Sequence, residues 1–139
     1  MFEEAHLTVT NDADAWFRQK VGPLLWSRQI AVEVGGAMSS LPTYVWVAAV
    51  RGDEVLGIGA IDPRPGGIVV LRHAWVAPEW RKRGIGTAIV RKRIELARQV
   101  AGVQRLRVTA RPEAARIYGR EGFQMVSVRG IYQTMELRP

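Results

Sequence analysis

The chain has no cysteine and only two histidines, His6 and His73, far apart in sequence. Counting alone excludes disulfides, thiolate metal sites and a cysteine nucleophile. A metal site would have to be assembled from scattered carboxylates with no recognisable spacing, so no metal is expected. No apolar run approaches the ~20 residues of a membrane span. The start, MFEEAHLTV, lacks the basic and apolar regions of a signal peptide, which points to a soluble cytoplasmic protein. Internal repeats and low-complexity segments are missing too. Acids are in short supply, 13 Asp and Glu against 20 Lys and Arg, for a net charge of +7. That balance predicts attraction to an anion, whether nucleic acid, membrane surface or phosphorylated small molecule, without choosing among them.

What is present has the composition of an ordinary globular protein, 47% hydrophobic and 24% charged over 139 residues. A chain of this length is about one domain, and such a domain buries roughly two thirds of the surface its unfolded form exposes. One domain spanning residues 1–139 is expected.

HLTVT reads as a short first strand. Asn11 followed by Asp14 has the pattern of a helix N-cap with an acid in the first turn, and Trp16 and Phe17 would face the core. Gly22-Pro23 breaks that helix. Pro23 then opens a second one through Leu24, Trp26, Ile30 and Val34, stopped by Gly35-Gly36. TYVWVAAV and VLGIGAI, on either side of Gly52-Asp53, read as a hairpin. Asp62 to Gly67 is the next turn, and IVVLRHAWV a third strand stopped by Pro78. Strands joined by such short turns are antiparallel neighbours.

Beyond Pro78, residues Ile85, Ile89, Val90, Ile94, Leu96, Ala97 and Val100 form a broad apolar helical face, ended by Gly102. Arg93 falls inside that arc, so its stem should be packed and its head in water. LRVTA follows as a strand. Strand, helix and strand in this order make a right-handed crossover between parallel strands. Pro112 opens a shorter helix through Ala115 and Tyr118, and two last strands flank Arg129-Gly130 as a hairpin. The expected fold is α/β of the α+β kind: a mixed, mainly antiparallel sheet with a central parallel βαβ crossover, flanked by helices.

The densest local signal is RKRGIGTAIV, Arg81 to Val90, where three cations meet two glycines between strand and helix. A dinucleotide-binding fingerprint would need a third glycine at Ile89 and an acid about 20 residues further on, where Gln104 and Arg105 stand. A Walker loop would need Gly-Lys-Ser or Gly-Lys-Thr, and Gly86 is followed directly by Thr87. Both readings fail. What remains is their shared physics: glycines let a phosphate approach backbone N–H groups, and a helix start supplies such donors with a positive dipole. A basic helix start without any ligand stays open as the alternative.

These residues resemble the signature of the GNAT superfamily of N-acetyltransferases: Gln or Arg, two residues, Gly, one residue, then Gly or Ala, after a strand ending in an apolar residue and often a proline. Here that is Arg81-Lys82-Arg83-Gly84-Ile85-Gly86 after Trp75 to Pro78. A second match is an alanine, three residues, a tyrosine, three residues and Gly-Phe: Ala114, Tyr118 and Gly122-Phe123. The order of elements is similar as well. The resemblance is strongest from Leu71 to Phe123, and up to about Ser40 only the pattern matches.

The resemblance implies transfer of an acetyl or other acyl group from coenzyme A to an amine, with acetyl-CoA as co-substrate. The pyrophosphate would sit on the backbone of Arg81, Lys82, Arg83, Gly84, Ile85, Gly86 and Thr87. The pantetheine arm would run along the main chain of Ala74, Trp75 and Val76. Such a reaction needs a deprotonated amine, donors for an oxyanion and an acid for the departing thiolate. Tyr118 matches the family's general acid, against the alternative of a tyrosine that only packs its helix on the sheet. The N–H of Val76 matches the oxyanion donor.

For the base no carboxylate is available. The position where family members carry a glutamate on the central strand falls on Val70. His73 has a suitable pKa, but strict alternation groups it with Leu71 and Trp75, opposite Arg72 and Ala74. Arg111 stands where the family often has an asparagine touching the cofactor; it could reach the cofactor or cap the following helix. Trp26, Tyr44, Arg72 and Tyr132 are candidates to line an acceptor site. The rival reading is a basic binding module on the same fold, catalytically inactive or docked on nucleic acid through Arg81 to Arg83 and Arg91 to Arg93. It lacks the interleaved aromatics of a stacking surface and any recognised nucleic-acid motif. The last strands offer a surface for a homodimer.

Overall fold

The apolar run behind Val45 and the turn at Gly52-Asp53 set two long strands side by side, and the rest of the sheet grows from that hairpin. In the computed structural model, which describes residues 5–139, the elements are β1 (Ala5–Thr10), α1 (Ala15–Lys20), α2 (Gly22–Leu25), α3 (Arg28–Val34), β2 (Val45–Arg51), β3 (Glu54–Arg64), β4 (Ile68–Val76), α4 (Ile85–Arg98), β5 (Arg105–Ala110), α5 (Pro112–Arg120), β6 (Gln124–Arg129) and β7 (Tyr132–Leu137). The acidic start, on which part of the leader expectation rests, lies outside the described residues. The seven strands form one sheet in the order β1-β2-β3-β4-β5-β7-β6. Only β4 and β5 run parallel, joined by α4. This is the mixed, mainly antiparallel α/β architecture expected.

Alternation along β2 sends Trp46, Ala48 and Val50 to one face, where Phe17, Val21, Leu25 and Ile30 of the first three helices cover them. Val47 and Ala49 point to the other face, under Ile85 and Ile89 of α4. A third cluster joins Ile61, Val69 and Leu71 to Ile94, Tyr118 and Phe123 beneath α4 and α5. The last strand in sheet order, β6, is exposed throughout and shows Met125, Val126 and Val128.

Several local expectations need correction. Asn11 does not cap α1: its side chain accepts the Ala13 N–H at 2.9 Å in the turn before the helix, and Asp14 holds the cap position. The long second helix is broken after Leu25, because the Ser27 hydroxyl accepts the Ile30 N–H at 3.2 Å and restarts the chain as α3. Trp26, at the break, is 85% exposed. Of the pair Trp16 and Phe17, only Phe17 is fully buried. The second turn is shorter than Asp62 to Gly67, since β3 continues through Arg64 and Asp62 is a buried strand residue. Helix α4 ends at Arg98, before Gly102.

Candidate functional site

The sheet opens where its parallel pair stops. Ile68 to Leu71 of β4 pair with Arg105 to Val108 of β5, and beyond Leu71 no pairing joins the two strands. Two residues later β4 is bulged: Ile58 faces Trp75 but Ala60 already faces Arg72, and His73 has a φ of 55°. The extra residue reverses the alternation. Leu71 belongs to the cluster under α4 and α5, whereas Trp75 belongs to the cluster under α1 to α3. His73 stacks on Trp46 of that latter face, with ring centroids 5.9 Å apart. The grouping of His73 with Leu71 is thus overturned: a left-handed residue in mid-strand rotates everything after it by one face. Non-glycine residues held in this region cluster at functional sites.

Beyond the bulge, one edge of β4 faces the opening. The Ala77 N–H donates to Leu56 O on β3 at 2.8 Å. By strand alternation the Val76 N–H therefore points the other way, into the fork. Arg81 closes the far side of this edge, its Nε donating to Val76 O at 2.9 Å and its Nη2 to Glu33 at 2.7 Å. Glu33 also accepts from Trp75 Nε1 at 3.2 Å. The Trp75 hydrogen bond, with those of Gln29 and Arg81, holds the Glu33 carboxyl below its usual range against an opposing effect of burial.

Helix α4 begins beside this edge. Gly84 caps it at a φ of 88°, a left-handed conformation natural only to glycine, and Lys82 just before has a φ of 61°. The first intrahelical bond runs from the Ala88 N–H to Gly84 O, so the amides of Ile85, Gly86 and Thr87 have no acceptor within the helix. A Cβ on Gly86 would meet only Val76 Cγ2, at 3.8 Å. The protein's own packing thus leaves room for a side chain there, and its absence keeps open the space in front of those amides.

These features line one cavity of about 560 Å³, with Ala74, Trp75, Val76, Arg81, Lys82, Gly84, Gly86 and Thr87 on one wall and Ala114, Ile117 and Tyr118 on the other. Arg83 and Ile85 lie off that wall. The Arg83 guanidinium sits 4.8 Å from the Trp80 ring, and the Ile85 side chain is buried in the core. Neither lines the cavity.

A second cavity, of about 400 Å³, meets the first at Ala74, Ala114 and Tyr118. Arg72, His73, Arg111 and Tyr132 line it, under the end of α3. Arg72 and Tyr132, two of the candidates to line an acceptor site, thus share this cavity. Tyr44 is buried, its ring 6.0 Å from that of His73, and Trp26 is on neither wall. Arg111 lines this second cavity and also holds the N-cap position of α5, where its carbonyl accepts the Ala115 N–H at 2.8 Å while its side chain makes no capping hydrogen bond. Burial, then the cations Arg72 and Arg93, hold the His73 pKa below the ordinary 6.5, with Asp62 opposing. The imidazole is accordingly neutral at pH 7. Asp62 lines neither cavity and is bonded to Arg72 at 2.7 Å.

Between the cavities and the sheet lies Arg93, wholly buried. This corrects the expectation of a solvated head. Gly59 makes the passage: a Cβ there would lie 2.8 Å from Arg93 Nε and 2.9 Å from Ile89 Cγ2. The guanidinium reaches the carbonyls that the bulge displaces, Ala60 O and Arg72 O, each at 3.5 Å, and donates to the Tyr118 hydroxyl oxygen. With that oxygen accepting from a cation, the phenolic proton must point elsewhere. No amphipathic pattern announces a buried guanidinium, though the presence of Arg93 within the apolar arc was its one trace. Glu33 left no signal at all.

The basic stretches are mostly engaged. Arg91 pairs with Glu121 and Lys92 with Glu95, both at about 3.2 to 3.3 Å. Arg81 rests on Glu33, Arg83 lies over Trp80 and Arg93 is buried. Among the described residues no group of three His, Asp or Glu could hold a metal ion, and no helix is long and apolar enough to cross a membrane.

A bulged strand forking from its parallel neighbour beside a glycine-started helix defines the acyl-CoA N-acyltransferase class of fold. The family model of the acetyltransferase (GNAT) domain matches residues 42–125, and the chain belongs to that family. Solved structures of the same fold include a GNAT family acetyltransferase from Elizabethkingia anophelis with acetyl-CoA bound, 12% identical over 99% of this chain and 100% of that one, TM-score 0.69. An acyl-CoA N-acyltransferase from Pseudomonas aeruginosa is 18% identical over 95% of this chain and 98% of its own, TM-score 0.69. An acetyltransferase of the GNAT family from Staphylococcus aureus is 10% identical over 96% and 99%, TM-score 0.70. At these identities the likeness is one of fold. No curated protein sequence matches the chain.

Proposed function

We propose that the protein transfers an acetyl group from acetyl-CoA to an amine. The observation that carries this reading is the convergence, in one cavity, of the acceptor-free amides at the start of α4, the open edge of β4 and Tyr118. The residues fit the group: the amides and Lys82 suit a diphosphate, and the edge at Ala74 to Val76 suits an extended amide-bearing arm. When bound, acetyl-CoA supplies the thioester, so that the acceptor nitrogen gains an N–C bond, the C–S bond breaks, and the proton lost by nitrogen is balanced by the one gained by sulfur.

The chain's own groups divide that work. The Val76 N–H points into the fork, where it holds a developing oxyanion. Tyr118 stands at the junction of the two cavities, and Arg93, by occupying its oxygen, turns the phenolic proton toward the cleft and makes it the proton donor. His73, neutral and on the wall of the second cavity, is placed to receive a proton from the acceptor directly or through water. A second copy pairing along the exposed strand β6 completes the proposal for assembly, and light scattering that finds only monomer at assay concentration refutes it.

The test is release of free thiol from acetyl-CoA across a panel of amines, with acetyl-CoA binding measured separately by calorimetry. Saturable binding and amine-dependent release are expected. Failure to bind acetyl-CoA overturns the reading.

A further inference from the structure

The charge of the second cavity narrows what the acceptor is. Its wall carries Arg72, Arg93 and Arg111 against a single acid, Glu113. Arg72 is matched by Asp62. Arg93 and Arg111 have no carboxylate partner among the described residues, and the Nε of each is buried without a hydrogen-bond partner. Arg93 is wholly buried and Arg111 half-buried, so each guanidinium loses solvation that no carboxylate repays. For Arg93 the Tyr118 hydroxyl and two carbonyls offset part of this. The Arg111 side chain makes no hydrogen bond among the described residues.

Arg111 is nevertheless held in place. Its guanidinium lies 6.0 Å from the Tyr132 ring centroid on one side. On the other it rests against Gly35, where an added Cβ would fall 2.1 Å from Nη2. A planar fork fixed at the wall of a cavity, with polar hydrogens facing nothing, is preorganised for a planar anion. At about 400 Å³ the cavity suits a small molecule.

We propose that the acceptor is a small amine bearing a carboxylate of its own, an amino-acid-type molecule, whose carboxylate pairs with Arg111 while its amine lies at the Tyr118 junction. This rests on the acetyl-transfer reading and deepens it. The same cationic wall that attracts the carboxylate disfavours an ammonium beside it, which assists loss of the amine's proton in a site where three arginines outnumber the one lining acid, Glu113. Purely cationic amines are excluded by the same charge.

The experiment uses product-like probes, so that it does not depend on turnover. Titrate the full-length protein with N-acetylated α-, β- and γ-amino acids and with the primary carboxamide of each, by calorimetry, and in parallel with acetyl-CoA. At least one carboxylate is expected to bind about tenfold or more tightly than its carboxamide. Arg111→Met should collapse that ratio toward one, and Arg111→Lys should restore part of it, with thermal unfolding run on each variant to confirm folding. If acetyl-CoA binds and no carboxylate is preferred over its amide, or the preference survives in folded Arg111→Met, the carboxylate proposal is wrong and the acetyl-transfer reading stands. Loss of acetyl-CoA binding in the unmodified protein sinks the latter reading instead.

Discussion

The two cavities that meet at Tyr118 are built from different materials. The one beside α4 draws on main chain, the free amides of Gly86 and Thr87, the edge of β4 and the open space at Gly86, with Val34, Val90 and Ile117 adding apolar side chains. The one beneath α3 is made of side chains, Arg72 and His73 from β4, Arg111 at the start of α5 and Tyr132 from β7. Every residue has a main chain, so a main-chain site needs only the right turn and the right glycines, a few contiguous letters. A side-chain site needs particular residues brought together from distant parts of the sequence. The first half suits a ligand common to a whole family; the second is where one member differs from another.

The largest effect should come from breaking the junction that both halves share. Tyr118→Phe is expected to lower turnover roughly 10²- to 10⁴-fold, the usual contribution of a general acid. Acetyl-CoA affinity, measured by calorimetry, should change less than about threefold, since that site draws on main chain. Undiminished turnover would remove the tyrosine from the mechanism and make it a packing residue.

Next comes a change confined to the main-chain half. Gly86→Val fills the space before the α4 amides, and losing one or two charge-assisted hydrogen bonds should weaken acetyl-CoA binding by about 10- to 150-fold. The melting temperature should stay near that of the parent, because the added Cβ meets only Val76 Cγ2 at 3.8 Å. A protein that binds normally shows that the diphosphate lies elsewhere; one that merely melts early shows that Gly86 serves packing.

The smallest effect belongs to the side-chain half. Burial and neighbouring cations keep the His73 pKa below 6.5 in the folded state. Between that lowered value and 6.5 the unfolded chain holds a proton that the folded chain does not. Stability contributed by the neutral imidazole is therefore fully present above about pH 6.5 and is lost as the pH falls through that window. Turnover limited by His73 as base should hold through that interval and decline only as the pH falls through the lowered folded-state value itself. His73→Gln should flatten both profiles, measured by chemical unfolding and by kcat/KM; a rate profile that keeps its acid limb assigns the base elsewhere.

Much of the fold was legible because local chemistry and global topology agree. Pro112 opens α5, Gly52-Asp53 turns the first hairpin, and the apolar arc from Ile85 to Ala97 does lie on the sheet. The helix start at Gly84 was legible for the same reason, its left-handed turn being set by backbone geometry within a few residues. The failures have a common origin. Ser27 competes with the helix around it by offering an oxygen to Ile30, and Asn11 does likewise before α1, so these polar side chains rather than propensity decided where helices begin. In β4 nothing in IVVLRHAWV marks His73 for a left-handed conformation. Period-2 reading therefore placed it on the wrong face. Beside the same bulge, Ala60 O and Arg72 O accept from Arg93, which is buried rather than solvated.

The order of strands and helices, the parallel crossover and the glycine-started helix that invites an anion follow from the sequence by itself, because each rests on neighbours within a few residues. The pairing of Arg93 with Tyr118, the turning of His73 into the second cavity, and the want of an ion pair for Arg111 among the described residues were decided only by the tertiary structure. Those depend on which distant side chains share a low-dielectric space. In that space the cost of an unpaired charge is set by the whole enclosure, not by any stretch of chain.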